Sequence, residues 1–166
     1  MTSGSDNTFV GHEAGRSVTT GFDNTLIGEE SRDGMTTGSD NTCIGEDSGY
    51  NLTTGRRNVA LGNNAMRGTT STGNTTTPGD SQNCTAVGYE AGFDFSGAFQ
   101  NTAVGSLAGT DICVGMCNTA IGAKALHNVE HGDFNTALGF LAGFDINRTD
   151  KTTGSTLNTI VGAFSG

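Results

Sequence analysis

The chain has 166 residues, of which 27 are glycine and one is proline; 33% are hydrophobic, and the formal charge is −9. That charge excludes a nucleic-acid footprint and a polybasic membrane contact, both of which need clustered Lys and Arg. No apolar run approaches the roughly 18 residues of a membrane span, and the sparse, small apolar residues exclude an ordinary globular core.

Taken in chain order, one pentapeptide recurs from end to end: Asn-Thr-x-(Val/Ile/Leu)-Gly, closing at Gly11, Gly28, Gly45, Gly62, Gly88, Gly105, Gly122, Gly139 and Gly162. The step is 17 residues except between Gly62 and Gly88 (26) and between Gly139 and Gly162 (23). A fixed period this short means one supersecondary unit stacked on itself, so residues 1–166 are expected to form a single repeat array. Just before each closing glycine stands an aliphatic residue (Val10, Ile27, Ile44, Leu61, Val87, Val104, Ile121, Leu138, Val161). Two before it comes a mostly small apolar residue, such as Ala86, Ala103, Ala120 and Ala137, and three after it always Ala or Ser. A glycine also precedes six of the closing glycines by seven residues: Gly4, Gly21, Gly38, Gly55, Gly115 and Gly132.

β-Branched residues flanked by glycines predict a short strand with a corner at each end, and the density of glycine argues against helix. Each period is therefore expected to make one coil of two short strands and two corners. The fold predicted is all-β, a parallel β-solenoid (β-roll) of nine coils with a 17-residue period. Rungs about 4.8 Å apart make a rod of roughly 40 Å.

Along each strand Asn and the small apolar residue share one face, and Thr and the aliphatic residue share the other. Both faces carry apolar groups, as in strands covered on both sides. If only one were buried, the file Ala86, Ala103, Ala120, Ala137 is the one expected in water, and a partner chain covering it predicts a homo-oligomer. Asn7, Asn24, Asn41, Asn58, Asn101, Asn118, Asn135 and Asn158 fall in register, so a structural side-chain amide ladder is expected.

Asn101-Thr102-Ala103-Val104-Gly105, Asn118-Thr119-Ala120-Ile121-Gly122 and Asn135-Thr136-Ala137-Leu138-Gly139 resemble the Asn-Ser-Val-Ala-Ile-Gly-type strand of YadA-like trimeric autotransporter adhesin heads. They are also similar to repeats of some phage and bacterial tail-fibre proteins. The resemblance spans all nine periods on about five positions each. It implies a left-handed β-roll, three chains side by side, and an adhesive role at a cell or virion surface. The adhesin heads repeat in fewer residues, so part of the coil here is expected to be longer.

The two irregular steps place loop insertions within 67–83 and 144–157. Solenoid insertions emerge on one edge, frequently the binding edge. Thr69, Thr70, Thr72, Asn74 and Thr76 in the first, and Asn147, Arg148, Asp150 and Lys151 in the second, are the candidate contacts for an unidentified receptor.

Other recurrences carry weaker readings. Asp6, Asp23 and Asp40 form one acidic file, and Glu13, Glu30 and Asp47 a second; a solvated edge is expected rather than a metal site. Thr19-Thr20, Thr36-Thr37 and Thr53-Thr54 recur at the coil spacing, as threonines do on ice-binding solenoids, but read as corner residues. His12, His127 and His131 hold unrelated positions and no catalytic motif is present, so neither enzyme activity nor a cofactor is expected. Cys43 and Cys84 replace inward positions, while Cys113 and Cys117 flank Gly115 and could form a local disulfide or stay free. Four glycosylation sequons, at Asn51, Asn74, Asn83 and Asn147, match the number expected by chance in a chain this rich in Asn and Thr.

Met1-Thr2-Ser3-Gly4-Ser5-Asp6 holds no secretory signal, so surface display is expected to rely on a longer parent chain or a non-cleaved route. First and last periods are ordinary rather than capped, which predicts either an excerpt of a longer fibre or protomers stacking head to tail. The expected function is a non-enzymatic structural and adhesive segment of an extracellular fibre. The alternatives are an ice-binding solenoid and a self-assembling filament subunit.

Overall fold

The computed structural model describes residues 3–34, 36–68, 81–146 and 156–166. It is a β-solenoid built on one parallel sheet of nine three-residue strands: β1 (Thr8–Val10), β2 (Thr25–Ile27), β3 (Thr42–Ile44), β4 (Val59–Leu61), β5 (Thr85–Val87), β6 (Thr102–Val104), β7 (Thr119–Ile121), β8 (Thr136–Leu138) and β9 (Thr159–Val161). Strand order in the sheet is sequence order. Register is exact: Thr102 pairs with Thr119, Ala103 with Ala120 and Val104 with Ile121. The pairing runs unbroken across the long step from β4 to β5, where Ala60 meets Ala86, and across that from β8 to β9. Among the described residues there is no helix.

The second strand expected in each coil is reduced to single bridging residues. Ser39, Arg56, Gln82, Phe99 and Met116 pair in sequence, and the rest of the coil is bends and turns. The reason lies in the backbone. The residue before the ladder Asn takes a left-handed conformation, from Asp6 (φ 55°) to Leu157 (φ 60°), as does the residue two after each closing glycine, such as Glu13 and Lys124. A third left-handed position stands four residues after the closing glycine, held by Gly15, Gly49, Gly92, Gly109 and Gly143, or by Arg32, Met66 and Leu126. Three such reversals in 17 residues leave no room for a second extended run.

The closing glycines themselves lie at φ +123° to +137°, a region that side chains rarely enter. They also stack: a Cβ on Gly105 would stand 2.7 Å from the carbonyl carbon of Gly122, and the pattern repeats up the rod.

Two inward files make the core. One is the strand centre, with Leu26, Cys43, Ala60, Ala86, Ala103, Ala120 and Ala137 buried; the other stands seven residues after the closing glycine, where Val18, Leu52, Phe95, Ile112 and Val129 are buried. The Ala/Ser position fills the space between them. Sizes are matched across the coil. Phe95 packs where Gly92 leaves room, Leu126 reaches in beside Gly143, and Met66 is buried in the same core. Interiors tolerate neither voids nor overlap, so each small residue sets the size of its neighbour.

Candidate interaction face

The sheet's outer side inverts the expected burial. The Ala86, Ala103, Ala120, Ala137 file is wholly buried, and the aliphatic file is the one in contact with solvent: Val10 is 55% exposed, Ile44 and Ile121 39% each, and Leu138 47%. Inside, beside Asn, the strand centres from β4 to β8 are all alanine, with the larger Leu26 and Cys43 on β2 and β3, and the aliphatics before the closing glycines are turned out. The outward row of each coil is thus Thr-x-aliphatic. Threonine is replaced once, by Val59, so eight threonines repeat at the strand spacing of about 4.8 Å.

Each row is bracketed by the residues two before the Thr and two after the aliphatic. In β2 and β3 these are Asp23 with Glu29 and Asp40 with Glu46, all exposed. In β8 they are Phe134, 51% exposed, and Phe140, 47% exposed. The recurrence of Asp6, Asp23 and Asp40 has a conformational cause, because Asp tolerates the left-handed region better than most residues.

The amide ladder lies on the inner side. Asn24 Nδ2 donates to Asn7 Oδ1 (2.9 Å), Asn41 to Asn24 (2.9 Å) and Asn58 to Asn41 (3.2 Å). Backbone N–H groups of Asn24, Asn41 and Asn58 share the same acceptors. A second run joins Asn118 to Asn101 (3.0 Å), Asn135 to Asn118 (3.1 Å) and Asn158 to Asn135 (2.8 Å). Between the runs Cys84 occupies the ladder position. Its N–H still donates to Asn58 Oδ1, and its thiol points at the carbonyls of Gln82 and Ala98, where an amide NH2 would point. Sulfur supplies no comparable acceptor for the next coil. Cys84→Asn is therefore expected to join the two runs and stabilise the chain by about 1–2 kcal/mol, two neutral hydrogen bonds, read as a higher midpoint in thermal denaturation.

Burial pushes the Cys84 thiol up from 9.0 to about 11. The fold favours the neutral thiol, so this contribution is intact below pH 9 and is lost as pH rises toward 11. Urea titrations between pH 8 and 11 should show that loss, reduced in Cys84→Asn.

The remaining candidates separate plainly. The loop residues Thr69, Thr70, Thr72, Asn74, Thr76, Asn147, Arg148, Asp150 and Lys151 lie outside the described residues. The Thr19-Thr20, Thr36-Thr37 and Thr53-Thr54 pairs sit in corners, bonded coil to coil through Thr19 N–H to Thr36 O and Thr36 N–H to Thr53 O. Among the described residues no group of three His, Cys, Asp or Glu is placed to hold a metal ion. Glu13 and Asp33 are joined by Arg16 (2.7 and 2.8 Å), and Asp47 pairs with Arg67 (3.2 Å), which also lies over Tyr50. All four cysteines are free. Burial, then Asp94, Glu130 and Asp111, push the Cys113 thiol up to about 11, which keeps it protonated at neutral pH. His127 stacks on Phe144 at 5.0 Å and bonds Asn128.

The outward position of the aliphatic file was readable in principle. Long aliphatics beside small alanines on the same strand cannot both face a narrow interior. The inward file at Val18, Leu52, Phe95, Ile112 and Val129 was also present in the sequence at a constant offset. Comparison with protein families, with curated proteins and with solved structures returns no match.

Proposed function

We propose that this chain is a non-enzymatic structural segment of an extracellular fibre, in which copies associate side by side, as a homotrimer, through the outward Thr-x-aliphatic face. The observation that carries the reading is the aliphatic file, kept on all nine strands although none of its members is buried and Val10, Ile44, Ile121, Leu138 and Val161 are exposed. An isolated exposed apolar residue needs no explanation, but a contiguous stripe marks an interaction surface. The rigid rod would present the segments around Thr69–Thr76 and Asn147–Lys151 for adhesive contact with a surface. Light scattering on purified protein at tens of micromolar tests association, with three times the 16.9 kDa chain mass expected. A single-chain mass at that concentration would reject it.

A second reading, ice binding, is favoured by one observation: the eight outward threonines stand in one file on a single sheet, beside a parallel aliphatic file. These are different threonines from the corner pairs. Thermal hysteresis in dilute solution, abolished by Thr102→Leu with Thr119→Leu, would establish this reading over the first; freezing behaviour equal to that of an inert protein of the same concentration would remove it.

A further inference from the structure

Two files of contacts that tie coil to coil break at the same height in the rod. The first is the amide file. Where asparagine follows asparagine, the later residue donates twice to the earlier Oδ1, once from its backbone N–H and once from Nδ2. This holds at six contacts, from Asn7–Asn24 to Asn135–Asn158. Cys84 makes the backbone bond to Asn58 alone. At Asn101 both ladder bonds are lost, because Cys84 carries no amide oxygen. The Asn101 N–H faces the cysteine sulfur, a weak acceptor, and Nδ2 donates onward to Gly115 O (2.6 Å).

The chain insertions do not cause this. The 23-residue step from β8 to β9 leaves both bonds in place at Asn158 (3.1 and 2.8 Å). Coils five and six, closing at Gly88 and Gly105, are separated by the ordinary 17 residues.

The second file is a corner. In coils one to four, seven and eight a glycine stands seven residues before the closing glycine, but in coils five and six Ser81 and Ala98 stand there. Close stacking requires the glycine. A Cβ on Gly21 would lie 2.3 Å from Gly38 O, and one on Gly115 would lie 2.3 Å from Gly132 O and 2.9 Å from Asn118 Nδ2. Ser81 and Ala98 carry that Cβ, so their corner cannot repeat the approach made by the coils on either side. Backbone rungs and inward apolar groups cross this contact as they cross the others. They hold the joint without making up the difference.

In a linear array each contact between neighbours contributes its own share of stability, and a weak contact divides the array into parts that open separately. We propose that the rod consists of two cooperative units, coils one to five and coils six to nine, and that the contact between them, at Cys84 and Asn101, is where it opens first. Under load along its axis, the rod yields at that joint.

Native-state hydrogen exchange on the full chain, followed through low concentrations of denaturant, tests this. Amides of β2 to β4 should converge on one opening curve and those of β6 to β8 on another, with rates at least about tenfold apart, the scale set by two neutral hydrogen bonds. In Cys84→Asn, which installs the residue of the other coils, the two groups should merge to within about threefold. Asn118→Cys moves the same break to the seventh coil, and β8 should then part from β6. A single curve in the parent chain, two curves that persist unchanged in Cys84→Asn, or β8 still opening with β6 in Asn118→Cys would each overturn the proposal. The parent curves decide the first point even where a variant fails to fold.

Discussion

Gly105→Ala is expected to be among the most damaging single-methyl additions in the molecule. The new Cβ would sit 2.7 Å from the carbonyl carbon of Gly122 and 2.8 Å from its oxygen, at φ +132°. The clash is with backbone, which cannot rotate away, and relief requires the sixth and seventh coils to separate. The forbidden conformation contributes roughly 1–3 kcal/mol, and the displaced rung adds more. A loss of about 3 kcal/mol or more is a large part of the roughly 5–15 kcal/mol that holds a domain together. Gly162→Ala is the control. Its φ is +123°, yet the nearest atom to its Cβ is Ser165 Oγ at 3.8 Å, so only the conformational share is expected. Chemical denaturation of the two variants measures the difference directly. Equal losses would mean that stacking contributes nothing and that φ alone explains the glycine.

The second large effect has the opposite sign. Arg32 is fully buried at the position where Met66 and Leu126 stand in other coils. Nε and Nη2 donate to Leu52 O (3.3 and 2.9 Å) and Nη2 also to Gly55 O (3.0 Å). Nη1 has no hydrogen-bond partner among the described residues, and the neighbouring ionisable group is the Cys43 thiol, itself buried and pushed up by that burial. Burial holds the guanidinium below its ordinary value. A buried cation without an anion is poorly compensated, and replacing such groups by apolar ones of similar volume stabilises by about 1–4 kcal/mol. Arg32→Met keeps the volume and a backbone conformation (φ 53°) that Met66 already adopts at φ 49°. It is expected to raise stability by about 1–2 kcal/mol after the loss of the carbonyl contacts. Arg32→Ala removes the charge and leaves a void, and should destabilise by about 2 kcal/mol or more. Thermal melts of the pair decide: destabilisation by both would mean that the guanidinium contacts outweigh the burial of its charge.

The parallel register and the place of every strand were legible because the closing glycine can be nothing else at φ near +130° against a neighbouring coil. The amide file was legible for a similar reason, since an amide in register can both donate and accept once per rung. What the five-residue motif taken alone hid was direction. Alternation says which residues share a face but not which face is inside. That was decided with residues outside the motif, Val18, Leu52, Phe95, Ile112 and Val129, which fill the far side of the interior; the coils of Phe95, Ile112 and Val129 have alanine at the strand centre. The missing second strand was hidden too. Glu13, Lys124 and Leu141 carry no compositional mark of the left-handed conformation they adopt, whereas glycine at the same kind of corner would have announced it. Function is less legible still, because the motif describes how coils stack and the candidate face consists of the positions the stacking leaves free.

Every link in the asparagine file points the same way, from the amide NH2 of a later coil to the oxygen of an earlier one. Each amide oxygen in the file is thus turned toward the following coil, and the stack carries one sense of direction along its long axis, set by the side chain of one repeated residue.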